Sequence, residues 1–180
     1  MDRREFGPGG HESAFLREGV VLNRILSRFA VICVIAALEG CAGTEMQVQA
    51  AYLPDPAAGI SYLVSSNVDV PQNALGIFKD RLNSQFCAAA LLADDKEQSR
   101  IVEIVITNYY MRPGATRALV GIMAGSDNMR STITIRDGRT KAIVGQFSVE
   151  SQNPTAMFTS RGLIEDHADQ IVGYVKSGGA

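Results

Sequence analysis

Hydrophobic and polar positions alternate along the chain with two distinct periods. Leu75, Phe78, Leu82 and Phe86 recur at spacings of three, four and four, with Lys79, Asp80 and Asn83 between them. This is the stripe of an amphipathic helix, predicted over about residues 72–92, with Pro71 near its start where a missing N–H costs nothing. A second 3.6-residue pattern, Ile164, Ala168, Ile171 and Val175, predicts a helix from about Ser160, an expected N-cap, to Gly178-Gly179. The period-2 segments are strand-like. Ile60, Tyr62 and Val64 alternate, and Met129, Ser131, Ile133 and Ile135 oppose Arg130, Thr132, Thr134 and Arg136. Residues 100–111 (RIVEIVITNYYM) carry Val102, Ile104 and Ile106 on one side and Val105 and Tyr109 on the other, which predicts an internal strand. Asp137-Gly138 predicts a two-residue hairpin turn into a partner strand over 142–150. The order β-α-β-loop-β-β-α implies an α+β, two-layer fold. About four mostly antiparallel strands would carry two helices packed on one face.

The pattern also divides the chain. Phe29–Leu38 are ten consecutive apolar residues preceded by Arg24 and Arg28. Ten is too few for a bilayer-spanning helix, which takes about 20, and fits the core of a signal peptide. Residues 1–40 are therefore expected to be a secretion signal. Residues 1–19 are polar and of mixed charge, so translation starting near residue 20 would give a more compact leader. Residues 41–58 read as a small, polar, Pro-containing tether, and 59–177 as one domain.

Leu38, Gly40 and Cys41 resemble the lipobox of bacterial lipoproteins, with Glu39 departing from the usual small neutral residue. The resemblance implies diacylglycerol and palmitate on Cys41 and a chain lipid-anchored in the cell envelope. Ala42 after the cysteine implies, through the enteric sorting rule, the periplasmic side of the outer membrane.

The remaining chemistry is sparse. Cys33 falls in the leader, which leaves Cys87 as the one thiol of the domain; its neighbours Phe86 and Ala88 suggest a buried, inert side chain. His11 lies in the leader, and His167 sits among Asp166 and Asp169 on what reads as a solvated helix face. One His and one thiol do not make a zinc site, so no metal, cofactor or catalytic residue is expected. With 17 basic and 19 acidic residues and a net charge of −2, the chain has no basic stripe for nucleic acid.

One segment stands apart. Residues 112–127 combine glycines with an apolar middle, giving a candidate interaction loop of Arg117, Leu119, Val120, Gly121, Ile122, Met123 and Gly125, against the plainer reading of an inward-packing segment. Arg117, Gly121, Ala124-Gly125 and the strand ending in Asp137-Gly138 resemble a family of uncharacterised bacterial lipoproteins known as a domain of unknown function. The layout is also similar to small α/β domains of envelope-assembly lipoproteins, including those of the curli secretion lipoprotein and the N-terminal part of TolB. Three roles follow as expectations. The first is a protein-binding adaptor or assembly factor for another envelope protein. The second is an accessory lipoprotein of a lipid or solute transporter with an apolar pocket. The last in rank is an enzyme using carboxylates alone, Glu103 with Asp137 or Glu150.

Overall fold

The computed structural model describes residues 43–93, 99–112, 126–153 and 159–179. Residues from Cys41 onward group as one compact unit. In chain order the elements are β1 (Gly43–Ala50), β2 (Ile60–Ser66), α1 (Gln72–Ala88), β3 (Arg100–Tyr110), β4 (Asp127–Asp137), β5 (Ile143–Asn153) and α2 (Ser160–Ser177). The fold is α+β: a five-stranded mixed sheet in the order β1-β5-β4-β3-β2, with two helices on one face.

The strand count exceeds the expected four because the tether is partly a strand. Thr44, Met46 and Val48 alternate with Glu45 and Gln47, and β1 pairs antiparallel with β5, Met46 opposite Val149. The sheet therefore starts at Gly43 rather than near residue 59. The linker beyond β1 is fixed as well. Tyr52 is buried, and a Cβ on Gly145 would lie 2.6 Å from the Tyr52 Cβ, so only a glycine admits that crossing. Gly178 caps α2 in the left-handed conformation (φ 69°), its N–H donating to the Tyr174 carbonyl at 2.7 Å, against Pro54.

β2 and β3 run parallel, joined by α1, as a crossover through a helix requires; the other three pairings are antiparallel. On the covered face Val102 lies opposite Ile135, Ile104 opposite Ile133, and Ile133 opposite Phe147. Phe78, Leu82 and Phe86 of α1 and Ile164, Ala168 and Ile171 of α2 close over them, all within 2% of full burial.

Three local expectations are corrected. Tyr109 does not share the face of Val105: a register shift between Ile106 and Asn108 turns it to the core side, opposite Met129. The β4–β5 turn is not a two-residue turn with Gly138 at positive φ. Its loop spans residues 138–141: Asp137 N–H donates to the Ala142 carbonyl at 2.9 Å, Lys141 N–H to the Asp137 carbonyl at 2.9 Å, and Lys141 takes the left-handed conformation (φ 60°). Asp137 Oδ1 accepts from the N–H groups of Arg139 and Thr140, which organises the longer loop. Finally, the cap of α2 is Thr159 rather than Ser160, its hydroxyl accepting from Gly162 N at 3.0 Å.

Candidate functional site

Polar side chains gather in three places among the described residues. The first is inside the core. His167 is completely buried, not on a solvated face, because it shares the stripe of Ile164 and Ile171, three residues after one and four before the other. Its Nδ1 lies 2.8 Å from Ser151 Oγ and its Nε2 2.9 Å from Ser131 Oγ. Ser151 Oγ in turn lies 2.8 Å from Thr44 Oγ1. A neutral imidazole donates from one nitrogen and accepts at the other, so one serine receives a proton and the other gives one. Burial pushes the imidazole pKa down to about 3, which keeps the ring neutral across the physiological range. The alternation of β4 and β5 aims both serines inward, and Ser131 already stands on the apolar side of its strand in the sequence. The arrangement resembles a nucleophile beside its base, but all three side chains are sealed from solvent. It ties β1, β5, β4 and α2 together.

The second cluster closes one end of the sheet. Arg112, just after β3, and Asp127, the first residue of β4, are both fully buried. Asp127 Oδ1 accepts from Arg112 N at 2.8 Å and Arg112 Nε at 3.1 Å, while Arg112 Nη2 donates to the Asn153 carbonyl at 3.0 Å. The pair pins the two points between which residues 113–125 run. The candidate loop residues Arg117, Leu119, Val120, Gly121, Ile122, Met123 and Gly125 lie outside the described residues, as do Leu38, Gly40 and Cys41. Beside this end is a cavity of about 360 Å³ lined by Thr44, Gln152, Asn153, Asp166 and Gln170 with Leu163.

The third place is the sheet face turned away from the helices. Arg136 Nε donates to Glu103 at 2.9 Å, and Arg130 pairs with Glu150, which also accepts from Asn128 at 2.8 Å. Leu63 stands exposed among them on β2. Desolvation opposes ionisation of Glu150, but the hydrogen bonds from Asn128 and Arg130 outweigh it and lower its pKa. Asp137 sits at the strand end, its pKa lowered to about 2, first by the hydrogen bonds from Thr140 and then by Arg100. The three carboxylates considered for an enzyme do not converge: Glu103, Glu150 and Asp137 each face a different arginine. Nor does Cys87 pack in the core. It is exposed, one residue round the helix from buried Phe86.

Among the described residues no group of three or more His, Cys, Asp or Glu side chains is placed to hold a metal ion, and no helix is long and apolar enough to cross a membrane.

The fold has solved counterparts. The chain is similar to the PelC dodecamer from Paraburkholderia phytofirmans, with a TM-score of 0.52 and 10% identity, covering 75% of this chain and 99% of that one. A single-substitution variant of the same dodecamer aligns with a TM-score of 0.49, 10% identity, and coverage of 75% and 98%. At this identity the likeness speaks for the fold alone. No curated protein matches the chain. The model of one family, a domain of unknown function named DUF4410, matches residues 64–156, from within β2 to just past β5, and the chain belongs to that family.

Proposed function

We propose that this protein is an envelope lipoprotein, anchored through Cys41 on the periplasmic side of the outer membrane, whose domain binds another envelope protein as an adaptor or assembly factor. The observation that carries this reading is the sheet face that no helix covers among the described residues. Both helices cover the opposite side, so β2–β5 present a broad surface of Arg136, Glu103, Arg130, Glu150 and Asn128 with Leu63 beside them. Paired charges around an apolar residue suit a protein surface of complementary pattern, which they would orient more than they would hold. The internal hydrogen bonding of His167 and the separate pairing of each carboxylate favour binding over chemistry.

Photo-crosslinking in intact cells tests the reading. A crosslinkable residue at Thr132 or Leu63, on the open face, should give a discrete heavier species containing a second protein. The same residue at Lys79, on the outside of α1, should not. The similar solved structure is a dodecamer, so the adduct must be identified by mass. A second copy of this chain at Thr132 would replace the adaptor reading with self-assembly. Equal or absent adducts at all three positions would remove it.

A further inference from the structure

The start of β1 fixes how the domain meets the membrane. Gly43 is the first residue of the sheet and lies opposite Gln152, near the end of β5. Gln152 also lies opposite Asn128, near the start of β4, and Asn128 opposite Tyr110, the last residue of β3. These four residues form one row across one end of the sheet. Cys41 is two residues before Gly43. Two residues of chain span at most about 7 Å, so a lipid on Cys41 holds Gly43, the β1 end of that row, no farther from its attachment point. Tyr110 lies three strand spacings, roughly 14 Å, along the row. The headgroup layer on each side of a bilayer is roughly 5–8 Å deep. An anchor this short keeps the β1 edge of the domain at the headgroup layer.

From this we infer that the Gly43–Gln152–Asn128–Tyr110 end of the sheet is seated directly on the lipid surface, with the strands rising away from it. The inference rests on lipid attachment at Cys41. The chemistry of that end fits an interface. Tyr110 is 52% exposed, followed by the partly buried Met111, and a tyrosine ring suits the headgroup level with its apolar body inward and its hydroxyl in water. The charges of Arg112 and Asp127 lie at the same end, but they are buried and satisfy each other, so neither has to be dehydrated on contact. The other end is different. The loop 138–141 exposes Arg139 and Thr140 beside Asp137 and Asp55, a charged tip suited to water. An 11-residue strand separates the two ends by about 36 Å, so they report on the bilayer independently.

The experiment uses the full lipoprotein, purified from membranes and reconstituted into phosphatidylcholine vesicles containing nitroxide-labelled lipid. In a Cys87→Ser background, an environment-sensitive fluorophore is placed at Tyr110→Cys, with Gln152→Cys as a second position on the same row, or at Arg139→Cys. Circular dichroism checks that each variant is folded. Quenching should be several-fold stronger at positions 110 and 152 than at 139. Inserting 12 Gly/Ser residues between Ala42 and Gly43, a spacer of roughly 19 Å r.m.s. span, should remove most of that difference. Mass spectrometry of the Cys41 peptide separates the two ways of failing. An unmodified Cys41 overturns the anchor and the seating together. A lipidated Cys41 with equal quenching at both ends, stronger quenching at 139, or no response to the spacer overturns the seating alone.

Discussion

Arg112–Asp127 and Arg136–Glu103 are the same chemical pair in two regions of one sheet. The first lies at the strand ends with both side chains fully buried, and the second on the open face with each about a third exposed. Water screens the open-face pair, and holding two long side chains together costs most of what the attraction gives. At the buried end the desolvation of each ion is already incurred, so each charge depends on the other and on the Asn153 carbonyl. An ion pair therefore means different things in the two places. On the open face it is an exchangeable surface feature, available to a partner; at the strand ends it is a structural requirement.

The largest expected effect breaks the buried side of that comparison. Asp127→Ala removes the acceptor of both the Arg112 backbone and its guanidinium, and should cost about 3–5 kcal/mol of unfolding free energy, read by urea titration. A loss below 1 kcal/mol would place this pair in the same class as the surface one.

The second test concerns His167, the other buried polar group. Its folded pKa, about 3, lies below the usual 6.5, so the unfolded chain binds the proton more readily. Stability should be constant above pH 6.5 and fall as pH drops toward 3, by up to about 1.4 kcal/mol per pH unit. Asp137 and Glu150 have lowered folded pKa values, so any slope they add near pH 4.5 has the same sign as that of the histidine, and the His167 limb is read above about pH 5.5. His167→Gln should flatten this limb while lowering stability at neutral pH, where one ring nitrogen's bond is lost. A wild-type stability that is flat down to pH 4.5 would contradict the sealed neutral imidazole.

A smaller change of opposite sign is expected at the turn. Lys141 holds a left-handed conformation that glycine adopts without a Cβ clash, so Lys141→Gly should raise stability by about 0.5–1 kcal/mol in thermal unfolding. Gly138→Val serves as the control and should not show the penalty of a positive-φ position. The smallest effect belongs to the open face. A double-mutant cycle on Arg136 and Glu103 should give a coupling of about 0.2–1 kcal/mol that shrinks in high salt. A larger, salt-resistant value would erase the distinction between the two pairs.

The sequence is most legible where one period runs uninterrupted. Phe78, Leu82 and Phe86 identify α1, and Met129 to Ile135 identify β4, because each stripe meets a single continuous surface. β1 is less legible. Its alternation of Met46 and Val48 with Glu45 and Gln47 is present, but Val48 stays half exposed at the sheet edge and the strand runs straight into a Pro-rich linker. Tyr109 misleads because a one-residue irregularity reverses every side chain beyond it, and periodicity carries no sign of where a bulge falls. His167 and Cys87 exchange the places their chemistry suggests. The helix phase set by Ile164 and Phe86 decides both, ahead of polarity. The buried polar network joins three hydroxyls from three strands to a histidine on a helix, and separate periodic patterns do not reveal which serine meets which ring nitrogen.

The pairing of β1 with β5 also sets an order in time. Thr44 and Ser151 are 107 residues apart in the chain, whereas β3, β4 and β5 follow one another through antiparallel neighbours. The chain is delivered with its N-terminal strand first, from a ribosome or across a membrane, yet the sheet partner of that strand among the described residues arrives almost last. Until that partner arrives, Met46 of β1 and Tyr52 beyond it stay unsheltered, and closing so distant a contact is slow because a long loop must be ordered before any contact rewards it. The segment matched by the family model, residues 64–156, contains most of the strands that can assemble early and omits both β1 and α2. The two elements outside that segment, β1 and α2, are joined through the Thr44–Ser151–His167 chain. Loop-closure entropy makes the pairing of β1 a late step, and burial of that histidine is expected to accompany it.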